Sequence, residues 1–460
     1  MAVEEKQAVT PSIRRGRWID NWDPQDPVFW ERIGKKVANR NLWFSVFAEH
    51  IGFSVWTLWS VMVLFMGPEY HTDAAGKFFL VAVPTLVGAF VRIPYSMAPA
   101  KFGGRNWTIV SASLLLIPTI LAAIVMHPGT SYTTFVLVAA ICGLGGGNFA
   151  SSMVNINAFF PEGRKGWALG LNAGGGNIGV AVVQLVGLLV IWTAGVGAPR
   201  LVLGIYIPFI VLAALGAALY MDNLSSMKND TRALREAIRE SQTWVIAFLY
   251  IGSFGSFIGY SFAFGLVLQN QFGRTPPQAA AVTFIGPLLG SLVRPFGGLL
   301  ADRFGGAKIT LLNFVAMAVA TGVVLIASTQ KSLVLYTVGF VALFALSGIG
   351  NGSTYKMIPS IFLGKAKVAI FEGQSPEVAF GRARRLAGAV IGIAGSVGAL
   401  GGLFINLAFR ESFMFTKSGD SACWGFMIFY VVCVVVTYLV YLRPVPAVAR
   451  SSARLAYAGV

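Results

Sequence analysis

The feature of this sequence that most restricts its fold is a series of long apolar runs. About 20 consecutive apolar residues are enough to cross a hydrocarbon core of roughly 30 Å. The runs do not alternate as barrel strands do, so they predict membrane-spanning helices. Twelve spans are predicted, at 42–66, 77–97, 106–126, 131–158, 166–192, 200–221, 243–269, 277–300, 308–327, 332–359, 385–409 and 422–443.

The composition excludes a water-soluble particle of this size. Of 460 residues, 56% are hydrophobic and only 12% are charged, whereas about a quarter are charged in soluble proteins. The 53 glycines suit a membrane bundle, where small residues let helix backbones approach closely. Three cysteines, Cys142, Cys423 and Cys433, lie inside apolar runs without metal-ligand spacing and are interpreted as reduced packing residues.

The net charge of +16 could suggest a nucleic-acid partner, but none is predicted, because the basic residues cluster between apolar runs, as the positive-inside rule predicts. Basic residues are dense in the tail before span one and in the loop after span six. They are dense again after span ten, at Lys365, Lys367, Arg382, Arg384 and Arg385. Loops on the other side carry Glu69, Asp73 and Arg200. Both termini and the central loop are therefore predicted to be cytoplasmic, in a multi-pass protein of the plasma or inner membrane.

The central charged loop divides the chain evenly, which predicts two six-helix bundles. The expected units are a cytoplasmic tail at 1–41, a bundle at 42–221, a linker at 222–242, a second bundle at 243–443 and a cytoplasmic tail at 444–460. Trp18, Trp22 and Trp30 in the N-terminal tail are expected at the membrane interface, which tryptophan favours. One chain is expected to contain a complete pathway through the membrane and to function as a monomer.

The two halves repeat each other. Residues 86–92 are LVGAFVR and residues 288–294 are LLGSLVR, and each run is followed by an FGG turn, at 102–104 and 304–306. Arg92 and Arg294 thus occupy matching positions, each ten residues before its turn. Transporters built from two parallel halves place the substrate at the interface between them, near mid-membrane.

An arginine inside a span costs at least a few kcal/mol on insertion scales, so a matched pair needs a reason. Arginine stays protonated and presents planar, paired N–H donors. Arg92 and Arg294 are therefore predicted to hold a small inorganic anion. The alternative is a structural role, in which each arginine pairs with a helix C-terminus or with loop carbonyls.

Several segments carry a family resemblance. Residues 297–308, GGLLADRFGGAK, resemble the loop signature of the major facilitator superfamily, a conformational motif that contains Asp302 and Arg303. A degraded copy, APAKFGGR, lies at 98–105. A closer resemblance is to the NarK-type nitrate/nitrite porters, and it rests on RIPYS at 92–96, GGGNFASSMVNINAFFP at 145–161, GLNAGGGNIGVAVVQL at 170–185 and GIAGSVGALGGLFI at 392–405.

This resemblance implies an all-α transporter of twelve helices that moves nitrate and nitrite by alternating access, without a cofactor. It implies that Arg92 and Arg294 clamp the anion. It also implies that Phe149, Tyr250, Phe254 and Asn177 contact the substrate, with Asn172 as a weaker candidate. Physically, two phenylalanines could sandwich a flat anion and exclude water, which strengthens the arginine contacts. Plain packing remains the alternative for each aromatic residue.

Some members of this family have no acidic residue in the equivalent core. Glu49 and His50 in span one and Lys356 in span ten depart from that pattern. One hypothesis makes Glu49 a proton-coupling site that responds to Lys356 and to the anion, since intramembrane carboxylates often relay protons. The other is a static Glu49–Lys356 ion pair that holds a cytoplasmic gate shut, since buried charges are usually paired. His50 is interpreted as a packing residue.

The main prediction is nitrate uptake, by proton symport or by exchange for nitrite. An organic-anion or sugar-phosphate exchanger of the same superfamily, or a nitrate sensor, remains as an alternative. An enzyme is excluded, because no nucleophile–base pair, metal cluster or nucleotide loop is present and the three histidines are scattered.

Overall fold

A computed structural model describes residues 12–443, so the predicted tail at 444–460 lies outside the described residues. Six long helices form the first half. They are α1 (Lys35–Trp56, continued after Thr57 by Leu58–Met62), α2 (Ala74–Phe102), α3 (Gly104–Val125), α4 (Tyr132–Phe159), α5 (Glu162–Ala194) and α6 (Pro199–Tyr220).

The second half has six corresponding helices. They are α7 (Ser241–Phe272), α8 (Pro276–Phe304), α9 (Gly306–Thr329), α10 (Leu333–Phe371), α11 (Pro376–Thr416) and α12 (Asp420–Leu442). Within residues 12–443, eleven of these helices are long and apolar enough to cross a membrane; α1 is the exception, because polar residues fill its first half. The predicted fold class, a twelve-helix membrane protein, is confirmed.

Two helices, α10 and α11, extend furthest beyond their predicted spans. The apolar runs at 332–359 and 385–409 are the central parts of α10 and α11, which continue through the charged stretch that was expected to be a loop. Ion pairs explain this, because a short linker helix at Thr231–Arg239 and its flanks supply acidic partners. Lys365 pairs with Glu240, Arg382 pairs with Glu236, and the Arg385 Nη1 atom lies 3.7 Å from Asp230 Oδ2.

The segment before α1 folds against the segment after α6. Strands Ile13–Arg14, Trp18–Ile19 and Asn223–Leu224 form a small three-stranded sheet, antiparallel between the first two and parallel between the last two. We call the end of the bundle that carries this sheet and the linker helix the basic end, and the opposite end the outer end. Two of the tail tryptophans, Trp22 and Trp30, are buried in the protein, because they pack on Phe159 and Phe160 at the end of α4.

The sequence repeat is a structural repeat. Gly88 in α2 meets Gly146 in α4, and a Cβ added to Gly146 would lie 2.9 Å from the Gly88 Cα atom. Gly290 in α8 meets Gly348 in α10 in the same way, and a Cβ added to Gly348 would lie 2.9 Å from the Gly290 Cα atom. The second pair lies 202 residues after the first along the chain. In each pair, the first glycine precedes the arginine of its helix by one helical turn.

The FGG turns also match. Gly103 has φ 89° and ψ 142°, and Gly305 has φ 93° and ψ 133°. These are left-handed values that side chains rarely adopt, so both turns require glycine.

Contacts hold the two halves together on the outer side. The Phe78 ring of α2 stacks on Phe409 and Phe413 of α11, with centroids 5.8 and 5.2 Å away. The Gln184 amide of α5 donates to the Ser261 carbonyl of α7 at 2.7 Å. On the basic side, a Cβ would meet no atom within 4 Å at Gly166, Gly170 and Gly174 in α5 or at Gly381, Gly388 and Gly392 in α11.

Asp222 fastens the basic end of the first half, and its removal is expected to destabilise the protein. Its carboxylate is fully buried and lies 2.8 Å from the Arg17 Nη2 atom and 2.6 Å from the Arg40 Nη2 atom. It also accepts from Asn41 at 2.8 Å. Asp222→Asn should cost about 2 kcal/mol, less than a fully buried pair because both arginines are partly exposed. Thermal unfolding in detergent measures the change.

Asp20→Asn is the matched control. Asp20 pairs with the largely exposed Arg14 in the same small sheet, so this change should leave the unfolding temperature unaltered. Equal unfolding temperatures for both variants would contradict a fastening role for Asp222.

Candidate functional site

Arg92 is the most deeply buried cation of the site. It lies in α2, is 1% exposed, and donates from Nε to the Gly146 carbonyl of α4 at 3.1 Å. From Nη1 it donates to the Gly395 carbonyl of α11 at 2.7 Å, which crosses from one half to the other. Its Nη2 atom has no hydrogen-bond partner in the described protein. One N–H face of this guanidinium is therefore available to a ligand.

Aromatic rings surround the same guanidinium. Its Cζ atom lies 4.8 Å from the centre of the Phe149 ring, 4.9 Å from that of Phe254 and 5.1 Å from that of Trp56. Such cation–π contacts stabilise a desolvated cation without neutralising it. The site therefore keeps its positive charge while excluding water.

Arg294 is held more loosely in the matching position of α8. It is 7% exposed, and its Nη2 atom lies 3.5 Å from the Tyr250 hydroxyl, at the limit of a hydrogen bond. Its Cζ atom lies 5.7 Å from the centre of the Tyr355 ring of α10. The Arg294 Nη1 atom has no hydrogen-bond partner in the described protein.

The predicted aromatic residues meet at the interface between the halves. Phe149 of α4 and Phe254 of α7 lie with ring centroids 6.3 Å apart and planes inclined by 24°. Tyr250 stacks on Phe254 at 5.3 Å, so the two share a face, as their spacing predicts. Directly after Tyr250, residues Ile251–Gly255 form a π-helical turn, a distortion that is frequent at functional sites.

No acidic side chain among residues 12–443 lies within ion-pair distance of Arg92 or Arg294. Both guanidinium groups also lie within electrostatic range of the Tyr250 hydroxyl, so their charges act on one region. Two buried cations without a carboxylate repel each other and attract an anion. The structural alternative accounts for part of Arg92, which does bind carbonyls, but not for Arg294.

The two asparagine candidates of α5 differ in their surroundings. Asn177 is buried, and neither atom of its amide has a partner in the described protein. The Asn172 amide donates to Glu49 Oε2 at 2.5 Å and to the Ser152 hydroxyl at 2.9 Å. Asn172 is thus engaged by the carboxyl group of Glu49, whereas the Asn177 amide remains available.

The expected ion pair between Glu49 and Lys356 is not formed. Lys356 is exposed and pairs with Asp302, with 2.9 Å between Lys356 Nζ and Asp302 Oδ1. The reason is position: Lys356 lies at the surface toward the basic end, whereas Glu49 is fully buried between α4 and α5. Within 12–443, the Glu49 carboxyl therefore has only neutral hydrogen-bond donors as partners.

The residues of the loop motif lie at the end of α8, away from the arginines. Asp302 connects α8 to α10 through Lys356, and both side chains are about half exposed. Such a pair contributes little to stability. Arg303 is exposed and covers its neighbour Phe304, with 5.1 Å between its Cζ atom and the ring centre.

Four contributors to the site are not evident from sequence. Trp56 and Tyr355 look like ordinary aromatic residues of apolar helices, and the Gly395 carbonyl belongs to the backbone. Ser152 binds Glu49, and its one signal is its position one helical turn after Phe149.

A separate apolar groove of about 680 Å³ lies between α7, α11 and α12. It is lined by Phe404, Phe415 and Phe429 among others, and the first two are well exposed on the outer surface of the bundle. Neither Arg92 nor Arg294 lines this groove, so it is not the anion site.

Comparison with known proteins assigns the chain to a family. A model described as the Major Facilitator Superfamily matches residues 42–405. The "Nitrate/nitrite transporter NarU" of Salmonella typhimurium is 37% identical over 454 residues, covering 93% of this chain and 97% of that protein. The chain belongs to the NarK-type nitrate/nitrite porter family of the major facilitator superfamily. The porter is thus a multi-pass membrane transporter and not an enzyme.

Other relatives are also named as nitrate/nitrite carriers. The "Nitrate/nitrite transporter NarU" of Escherichia coli is 36% identical and covers 92% of this chain and 96% of its own. The "Probable nitrate/nitrite antiporter NarK2" of Thermus thermophilus is 30% identical, and the match covers 93% of this chain and 97% of that protein. The solved structure of the xylose transporter XylE from E. coli superposes with a TM-score of 0.65 at 13% identity, covering 88% of this chain and 98% of that one. That likeness concerns the fold alone.

Gly176 of the porter is expected to tolerate no side chain. A Cβ at Gly176 would overlap Glu49 Oε1 and lie 2.7 Å from Glu49 Cγ, whereas a Cβ at Gly174 would meet nothing within 4 Å. Gly176→Ala should destabilise the porter by about 1–3 kcal/mol through overpacking, and Gly174→Ala should not. Unfolding temperatures of the two variants in detergent provide the measurement, and equal values would contradict the packing described for Glu49.

Proposed function

We propose that this porter carries nitrate and nitrite across the inner membrane by alternating access, with the anion bound between Arg92 and Arg294. One observation carries the proposal: two buried guanidinium groups occupy matching positions of the two halves, and each has an N–H donor without a partner among residues 12–443. The relatives named as nitrate/nitrite transporters supply the identity of the anion.

Nitrate fits the chemistry of these residues. It is flat and singly charged, and its three oxygens are weak bases that accept hydrogen bonds from planar donors such as guanidinium groups. The 6.3 Å between the centroids of Phe149 and Phe254 is close to twice the contact distance of roughly 3.5 Å for stacked flat groups. A planar anion therefore fits between the rings after a small separation, and the rings keep water from the arginines.

The two arginines are proposed to have different tasks. Arg92 is fixed by the carbonyls of Gly146 and Gly395, so it presents a preset donor. Arg294 makes a weak hydrogen bond with Tyr250 and a cation–π contact with Tyr355, so it can move onto the anion. Because Gly395 belongs to the second half, the length of the Arg92–Gly395 hydrogen bond depends on the relative position of the halves.

Alternating access requires the halves to close at one end as they open at the other. The packing of Phe78 on Phe409 and Phe413 closes the outer side, while glycines of α5 and α11 face open space on the basic side. We therefore assign the structure to a conformation that opens toward the basic end. The density of lysine and arginine there assigns that end to the cytoplasm, and a single chain is proposed to work as a monomer.

An organic-anion or sugar-phosphate exchanger would need a wider site. Phe149 and Phe254 leave room for a flat group of one-atom thickness, and Arg92 already contacts both rings. A tetrahedral phosphate with an attached sugar would have to displace both. Competition of nitrate uptake by glycerol phosphate would favour that alternative.

Substitution of either arginine by lysine tests the proposed clamp. Lysine keeps the charge but loses the planar pair of donors. We expect Arg92→Lys and Arg294→Lys to reduce nitrate–nitrite exchange in proteoliposomes by at least ~10-fold, the loss expected from about 1.4 kcal/mol of binding energy. The initial rate of labelled nitrate entry against internal nitrite is the measurement.

Arg200→Lys is the matched control, because Arg200 is exposed at the outer end of α6. It should exchange at the rate of the unaltered protein. Normal exchange by Arg92→Lys or by Arg294→Lys, at equal amounts of reconstituted protein, would refute the clamp.

A further inference from the structure

The Glu49 side chain is buried close to the proposed anion site but does not belong to it. Glu49 precedes Phe53 by one helical turn, and the Phe53 ring meets Phe149 with centroids 6.0 Å apart. Ser152, which binds Glu49, follows Phe149 by about one turn. The carboxyl group therefore lies roughly 5 Å, one helical turn, from the aromatic pair on its basic side.

The direct contacts of this carboxyl group are hydrogen bonds from neutral groups. Its Oε2 atom accepts from the Ser152 hydroxyl and from the Asn172 amide. Its Oε1 atom has no hydrogen-bond partner in the described protein and faces Gly176, whose missing side chain makes the space. Ser152 and Asn172 alone stabilise an ionised carboxylate poorly, so its ionised form depends on more distant positive charges.

The charges that reach Glu49 come from the anion site itself. Arg92 of α2 and Arg294 of α8 act on it electrostatically, and Tyr355 of α10 lies within range. The neighbouring His50 is turned toward α5, where its Nδ1 atom lies 3.1 Å from a backbone carbonyl. Lys356 is engaged by Asp302.

Anion binding and proton binding are therefore linked through the two arginines. When an anion lies between Arg92 and Arg294, it cancels part of the positive charge that stabilises ionised Glu49, so the proton binds more tightly. By thermodynamic reciprocity the protonated form binds the anion more tightly. The link needs no direct contact between Glu49 and the anion.

We propose that Glu49 binds one proton when nitrate occupies the site and releases it when the site is empty, so that the porter carries one proton with each nitrate. This inference rests on the nitrate transport proposed above. It selects symport from the two coupling modes that the fold and the relatives leave open.

The charge balance explains why such a group matters. With nitrate bound and Glu49 neutral, two arginines and one anion give a net charge of +1. With the site empty and Glu49 ionised, two arginines and one carboxylate again give +1. Without Glu49 the empty site would carry +2, which resists closing and restricts the carrier to exchange. An ionised Glu49 lets the empty porter return, as symport requires.

Nitrate accumulation in proteoliposomes tests the proposal. The medium is one pH unit more acidic than the lumen, the membrane potential is held at zero, and no internal nitrite is present. One proton per nitrate predicts that internal labelled nitrate rises to about ten times the external concentration, since one pH unit equals a tenfold concentration ratio. Nitrate–nitrite exchange is measured in parallel on the same vesicles.

Glu49→Gln should exchange nitrate for nitrite but accumulate none, giving a concentration ratio of about one. Glu69→Gln is the matched control, because Glu69 is exposed in the loop between α1 and α2, and it should accumulate nitrate normally. If Glu49→Gln also loses exchange, Glu49→Asp decides, because it keeps a carboxyl group and should accumulate nitrate.

The outcomes separate the two proposals. Exchange without accumulation in the unaltered protein would overturn proton coupling and leave nitrate transport standing. Normal accumulation by Glu49→Gln, or exchange without accumulation by Glu49→Asp, would overturn the assignment to Glu49. Absence of any nitrate flux in the unaltered protein would overturn both.

Discussion

The structure depends on the burial of two guanidinium groups without an acidic partner. An ion that leaves water loses several kcal/mol of solvation, and a protein usually restores this with an opposite charge. Here Arg92 is stabilised by two carbonyls and three aromatic rings, which lower the cost without cancelling the charge. Arg294 has less support. In the proposed function, the remaining positive potential attracts the anion, so the feature that is costly to bury also provides the selectivity.

Duplication places the arginines, and departures from duplication give them separate roles. The glycine pairs Gly88–Gly146 and Gly290–Gly348 bring α2 to α4 and α8 to α10 at the same point of each half. Each arginine therefore follows an equivalent helix contact by one helical turn. The halves differ in Glu49, which belongs to the first half. In the proposed clamp, Glu49 adds an asymmetric charge, which could distinguish a loaded carrier from an empty one.

Sequence predicted the architecture, because apolar length and internal repetition are strong local signals. It also named Arg92, Arg294 and the aromatic pair as candidates by their spacing and by family resemblance, and Arg92 does lie against Phe149 and Phe254. It did not predict the cover formed by Trp56 and Tyr355, since an aromatic residue in an apolar helix has no distinguishing mark.

Ion pairs between residues that are distant in sequence were also not predictable from the sequence. One hypothesis paired Lys356 with Glu49 because buried charges are usually paired, yet Lys356 pairs with Asp302 at the end of α8. The charged stretch after span ten looked like a loop, but the linker helix provides the acids that let α10 and α11 continue. Such partners are distant in sequence and depend on how helix ends are oriented.

A structure of the porter determined in saturating nitrate would show whether nitrate lies between the two arginines. We expect one nitrate between the rings of Phe149 and Phe254, with its oxygens roughly 2.7–3.2 Å from Arg92 Nη2 and Arg294 Nη1. Nitrate bound elsewhere in the bundle, with both of these nitrogens still lacking a partner, would contradict it.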